Sequence, residues 1–163
     1  AFHLWNITEI YTNSSGSLQF IELQTAFGSQ QFVGGQSISV SNIGNTLTNP
    51  FVIPSNLPAD STNRRFLLGT AGIQAAGGPA PDYIIPNGFL FSAGGSISFF
   101  GANSGAYTAL PTDGILSRTW GGGNATNSPT NFAGASGTVP SPVTFGIVSA
   151  GGMLLGLRRR RSI

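Results

Sequence analysis

The chain has no lysine and no cysteine, and it carries a single histidine and a single methionine. Without cysteine, neither a disulfide framework nor a thiolate metal site is available. Charged residues make up 7%, against roughly 25% in ordinary soluble domains. The formal charge of +2 is a local matter, because Arg158, Arg159, Arg160 and Arg161 supply most of the cations. Before them, Arg64, Arg65 and Arg118 stand against Glu9, Glu22, Asp60, Asp82 and Asp113, a slightly acidic balance. Clustered Lys or Arg on one face, the footprint of a nucleic-acid surface, is missing, so nucleic acid is not expected as a partner. A length of 163 residues with 40% hydrophobic content suits one domain with a buried core rather than a disordered chain.

What is abundant is punctuation. Gly occurs 24 times and Pro 10 times, so few stretches sustain a helix beyond two turns. Phe2 to Thr12, "FHLWNITEIYT", has the β-branched and aromatic content of a strand. "NSSG" at Asn13 to Gly16 marks a turn, and Ser17 to Thr25 reads as the returning strand. "QSISVSN", Gln36 to Asn42, alternates strictly, with Ile38 and Val40 on one face and serines on the other. Further strands are expected at Pro50 to Pro54, Arg64 to Thr70, Gly95 to Gly101 and Gly114 to Trp120, with one short helix within Thr70 to Gly77. Many short strands between turn signals indicate an all-β sandwich or barrel. From about Gly121 the pattern fades into Gly, Ser, Thr, Asn and Pro, with only Phe132 and Val139 apolar up to Pro142. The expected organisation is a body over 1–126, a linker over 127–142 and a tail over 143–163.

The tail has its own physics. Val143 to Leu157 contains no charge, and the four arginines follow directly. As a helix, that run rises about 22 Å, short of the ~30 Å hydrocarbon core unless the arginine stems snorkel. Pro142 suits the first turn of such a helix. Arginines after the run would hold that end on the cytoplasmic side and leave the body outside. A buried C-terminal strand with a solvated basic end is the plainer reading of the same residues. Ala1 suits the small residue at a signal-peptidase site, and a removed signal peptide is the expectation for the other end.

Two resemblances follow from these residues. The order Val139, Pro140, Ser141, Pro142, then an apolar run, then an arginine cluster resembles the PEP-CTERM sorting signal of exported bacterial proteins. Ser141 stands where that motif carries its glutamate. The resemblance implies export, at least transient membrane anchoring, an exosortase-like processing enzyme as partner, and an association with exopolysaccharide and biofilm. In the body, "ITEIYTNSSGSLQFIELQT" followed by "FVGGQSISV" resembles the opening of lamin-tail-type domains, with Glu9 and Glu22 at the two acidic positions. "LPTDG" at Leu110 to Gly114 and "NSPTNFAG" at Asn127 to Gly134 are similar to the end of such bacterial proteins. That likeness implies an immunoglobulin-like β-sandwich and no catalytic motif.

Catalytic chemistry finds little footing. His3 is the only histidine, so a Ser-His-Asp triad would have to use a residue near the first position. No His/Cys spacing for zinc exists. Asp60, Asp82 and Asp113 lack the alternation of a calcium loop and read as turn residues, Asp113 before Gly114 above all. "GGG" at Gly121 to Gly123 has no following lysine and is no phosphate loop. Trp5, Trp120, Tyr11, Tyr83 and Tyr107 would stack on sugars if exposed, but Trp5 and Trp120 are more simply core or domain-edge residues. Glu9 and Glu22 are the one candidate carboxylate pair. They suit a glycosidase if adjacent strands bring them together, a weak calcium site next, and structural hydrogen bonding or an ion pair to Arg64 or Arg65 best. The expected function is a non-enzymatic surface or matrix protein without cofactor, sorted by its tail, binding polysaccharide or copies of itself. A filament subunit retaining its apolar tail and a surface polysaccharide hydrolase are the alternatives.

Overall fold

A computed structural model describes residues 1–140. The expected apolar helix, together with Ser141, Pro142 and Arg158 to Arg161, lies outside the described residues.

The chain forms two β-sheets around one core. β1 (Asn6–Thr12) and β2 (Gln19–Thr25) pair antiparallel through the "NSSG" turn, where Asn13 Oδ1 accepts the Leu18 N–H at 3.1 Å. β3 (Ser37–Asn42) and β4 (Thr48–Val52) form a second hairpin, and β5 (Arg64–Gly69) returns beside β2. The expected helix is a single turn, α1 (Gly72–Ala75). Then come β6 (Tyr83–Ile84), β7 (Gly94–Phe99), β8 (Asn103–Thr108), β9 (Leu116–Thr119) and β10 (Asn124–Thr126). The six-stranded sheet runs β10-β9-β1-β2-β5-β6 and the four-stranded sheet β4-β3-β7-β8.

The alternation read in "QSISVSN" is realised: Ile38 and Val40 are buried, and the serines between them face outward. Trp5, Ile21, Leu23 and Phe66 from one sheet meet Ile38, Val40, Ile97 and Phe99 from the other. Trp5 lies edge-on to Phe66 with centroids 4.7 Å apart, and its indole N–H donates to the Gln30 carbonyl at 2.7 Å. Burying an indole is favourable only when that donor finds a partner. β8 escapes the sequence reading, because "NSGAYT" holds little β-branched character. Its Gly105 is needed where Trp120 lies against it, since a Cβ there would come within 2.9 Å of the ring. Arg118 ties the sheets together at one edge, donating to Thr108 Oγ1 at 2.6 Å and to the Ala109 carbonyl at 2.8 Å.

Candidate functional site

A second, smaller core lies on the opposite, outer face of the six-stranded sheet. Tyr11, Phe20 and Leu67 project there, covered by Ile73 of α1 and by Val139. Glu9 and Glu22 share this face. They sit directly opposite each other on β1 and β2, and Leu67 of β5 continues the row. Directly opposed residues on one face have Cβ atoms about 5 Å apart. Asp82, immediately before β6, extends the row beside Leu67: its N–H donates to the Leu67 carbonyl, and its Oδ2 accepts the Leu67 N–H at 2.8 Å.

Residues 127–139, expected to be a linker, form an out-and-back loop packed on this row. Ser128 N–H donates to Glu9 Oε1 at 2.9 Å, Thr130 N–H to Glu22 Oε2 at 2.8 Å, and Phe132 N–H to Asp82 Oδ2 at 2.9 Å. Alternate backbone donors of one extended segment thus meet three carboxylates in succession. The loop closes on itself: Val139 N–H donates to Asn127 Oδ1 at 2.6 Å, and Asn127 Nδ2 donates back to the Val139 carbonyl at 3.0 Å. Its lone apolar residues are its anchors. Phe132 packs against the main core and Val139 against the smaller one, both buried. The linker reading failed because polarity and glycine content describe what a segment exposes, not which backbone donors a neighbouring sheet accepts. Phe132 and Val139, isolated in polar sequence, were the available signal.

Each carboxylate oxygen of the Glu9/Glu22 pair has a donor. Glu9 Oε1 also takes the Ser117 hydroxyl at 2.5 Å, and Oε2 takes the Ser128 hydroxyl at 3.2 Å. Glu22 Oε1 accepts from Thr8 Oγ1 at 2.6 Å and from Arg65 Nη1 at 3.2 Å. Thr8 reaches it because a bulge in β1 between Ile7 and Glu9 breaks the register there. Arg65 therefore supplies the expected ion pair. Arg64 does not: it donates to the Phe132 carbonyl at 3.3 Å, with its guanidinium 5.5 Å from that ring's centroid. Glu9 and Glu22 are 6% and 1% exposed. A general acid must reach a glycosidic oxygen, and these two are covered by backbone.

The remaining candidates separate. Val139 of the proposed sorting motif is a core residue, while Pro140 is exposed. Asp113 behaves as the expected turn residue, accepting from the Ile115 and Leu116 N–H groups at 2.8 Å each. Asp60 does the same for Ser29 and Thr62. Tyr11, Tyr83 and Tyr107 are buried with their hydroxyls on backbone carbonyls, and burial pushes Tyr83 and Tyr107 up to about 12. Trp5 is buried and Trp120 half-buried, so neither offers a sugar-stacking platform. Among the described residues no three His, Cys, Asp or Glu side chains converge as metal ligands, and no helix is long and apolar enough to cross a membrane.

Burial raises the Glu22 carboxyl above its ordinary value against the opposing pull of Thr8, Arg65 and the Thr130 N–H, and burial likewise raises Asp82. A carboxyl that binds its proton more tightly when folded contributes stability below its unfolded pKa and loses it as pH rises through the folded one. Asp60, held at about 2 by Thr62 and Ser29, and Asp113, lowered by two N–H groups, act with the opposite sign and lose their contribution in strong acid. The melting temperature is therefore expected to rise as pH falls from neutrality toward the ordinary carboxylate range and to drop below about 4. Thermal melts across that range check it, and Glu22→Gln should flatten the upper limb. A steady fall from neutrality would contradict the assignment.

Neither the protein families, nor the curated proteins, nor the solved structures with which the chain was compared contain a match to it.

Proposed function

We propose that this is a non-enzymatic exported protein of the cell surface or extracellular matrix, directed by the "VPSP", apolar and arginine segments that follow its body. The proposed partners are an exosortase-like processing enzyme, the membrane through the tail, and polysaccharide or copies of the same chain. The observation that carries the reading is the abrupt change of character at Pro140. Up to Val139 both large apolar residues of the last loop, Phe132 and Val139, have a place in a core, and all the buried carboxylates are occupied in holding that loop. Beyond Pro142 come fifteen uncharged residues, then four arginines. The engagement of Glu9 and Glu22 on every oxygen supports an architectural role for them over that of a hydrolase pair.

The body is proposed to be immunoglobulin-like and akin to lamin-tail domains. Strand order supports this: β1-β2-β5 against β4-β3-β7-β8 follows the A-B-E and C′-C-F-G arrangement of such sandwiches. β9 and β10 would then be additions beside the first strand, and β6 would occupy the place next to E.

Replacing Arg158 to Arg161 with serine tests the address. Delivery or processing is expected to fail while the far-ultraviolet spectrum and melting of the body stay unchanged, because orientation depends on the basic flank. The mature mass and surface exposure, measured in an exporting bacterial host, report the outcome. Normal delivery of that variant would remove the sorting reading.

A further inference from the structure

The outer face of the four-stranded sheet carries no charged residue of its own, and the one guanidinium that reaches it, Arg118 from β9, stops at Thr108 on the β8 edge. The register lines up Ser39, Ser98 and Ser104 across β3, β7 and β8, and beside them Ser41, Ser96 and Ala106. Their neighbours along each strand, Ile38, Val40, Ile97 and Phe99, fill the core, so these small side chains point away from it. Every Arg, Asp and Glu of the described residues lies on β1, β2, β5, β9 or in a loop. Large hydrophobics stand at the two ends of the face. Val52 pairs with Ser37, whose carbonyl accepts the Phe100 N–H, and Ile43 follows β3 at the opposite end. Val52, Phe100 and Ile43 are 60%, 74% and 67% exposed.

We infer that this face docks a second copy of the chain. A serine hydroxyl is both donor and acceptor, so rows of serines satisfy themselves when the same face is presented back. Among the serine rows a fixed-charge partner finds no counter-charge and a glycan finds no aromatic platform. Homotypic contact also brings no like charges together, whereas the acid-bearing remainder of the body would. About a two-fold axis lying between the two faces and perpendicular to their strands, the strands of the two copies run antiparallel. The Val52/Phe100 end of one copy then covers the Ile43 end of the other, burying side chains that the monomer leaves in water. Four strands about 4.8 Å apart and six residues long give a footprint of about 400 Å², half of the ~800 Å² per partner of a standard interface. The contact is thus weak between free copies and becomes substantial for copies held on one membrane by their tails, a consequence that rests on the proposed anchoring.

The absence of cysteine makes the test clean. Ser98→Cys places one thiol in the centre of the face, and Ala125→Cys places one on β10 of the other sheet, both at exposed positions. The full-length variants in detergent are treated with a thiol–thiol cross-linker spanning about 10 Å, the usual separation of stacked sheets. Dimers are expected several-fold in excess at position 98, with the excess lost on adding Ser104→Arg. Ser104→Cys repeats the measurement should Ser98→Cys lose the native circular dichroism. Equal yields at 98 and 125 would mean that the tails alone bring copies together and would overturn the face. Undiminished cross-linking in the presence of Ser104→Arg, or no dimer at 98 or 104, would overturn it as well. None of these readouts depends on export, so they stand apart from the sorting experiment.

Discussion

A chain ending at Thr126 is expected to lose cooperative folding, whereas one ending at Pro140 melts within a few degrees of the full chain. The shorter chain lacks Phe132 and Val139, each a buried side chain worth about 1.5–3 kcal/mol. It also uncovers Tyr11, Phe20 and Leu67, and strips a backbone donor from each of Glu9, Glu22 and Asp82. A buried polar group left without its partner costs about 1–3 kcal/mol, more when charged. The combined loss rivals the roughly 5–15 kcal/mol that holds a whole domain together. Differential scanning calorimetry of the two truncations, beside the full chain in detergent, reads the difference. A sharp, near-native transition in the 126-residue chain would show that the loop merely decorates the sheet. Asn127→Ala is the gentler version: it frees both backbone groups of Val139 and should lower the melting temperature without abolishing the transition.

Glu22→Ala is expected to be the most damaging single substitution among the acidic residues. Its carboxylate serves Thr8, Arg65 and the Thr130 N–H at once, from a position 1% exposed. Its loss lets Arg65, whose side chain is 37% exposed, turn to water, but leaves the Thr8 hydroxyl and the Thr130 N–H without their acceptor, at about 1–3 kcal/mol each. For a domain of this size that is a fall in melting temperature of about 10 °C or more. Glu22→Gln keeps an acceptor for Thr130 and, by giving up the charge, also removes the burial cost that raises this carboxyl, so it should lie close to the parent. Glu9→Ala should fall between the two, since Glu9 binds the Ser117 and Ser128 groups without a cation. Urea titrations of the three variants rank them. Equal stability of Glu22→Ala and the parent would mean that the row of carboxylates does not hold the loop.

The β1–β2 hairpin, β3, β5 and β7 were legible residue by residue, because period-two alternation and turn chemistry are local properties of the chain. An ion pair of one acidic residue with Arg64 or Arg65 was also expected, but only the pairing of β2 with β5 decided for Glu22 and Arg65. α1 shrank to one turn because glycine at Gly72, Gly77 and Gly78 leaves little helix to propagate. β8 and β10 were invisible: Ser, Gly, Ala and Asn become strand only where a partner strand supplies the ladder. The fate of residues 127–139 was likewise undecidable along the chain. Their donors are satisfied by carboxylates up to 119 positions away, and no local pattern encodes so distant an acceptor. The uncharged face belongs to both levels. Its serines were readable in "QSISVSN" and "GSISFFG", but their union into one surface required β3 and β7 to lie side by side. That adjacency comes from folding, since the two strands are separated by more than fifty residues of sequence, and only burial of their common apolar side brings them together.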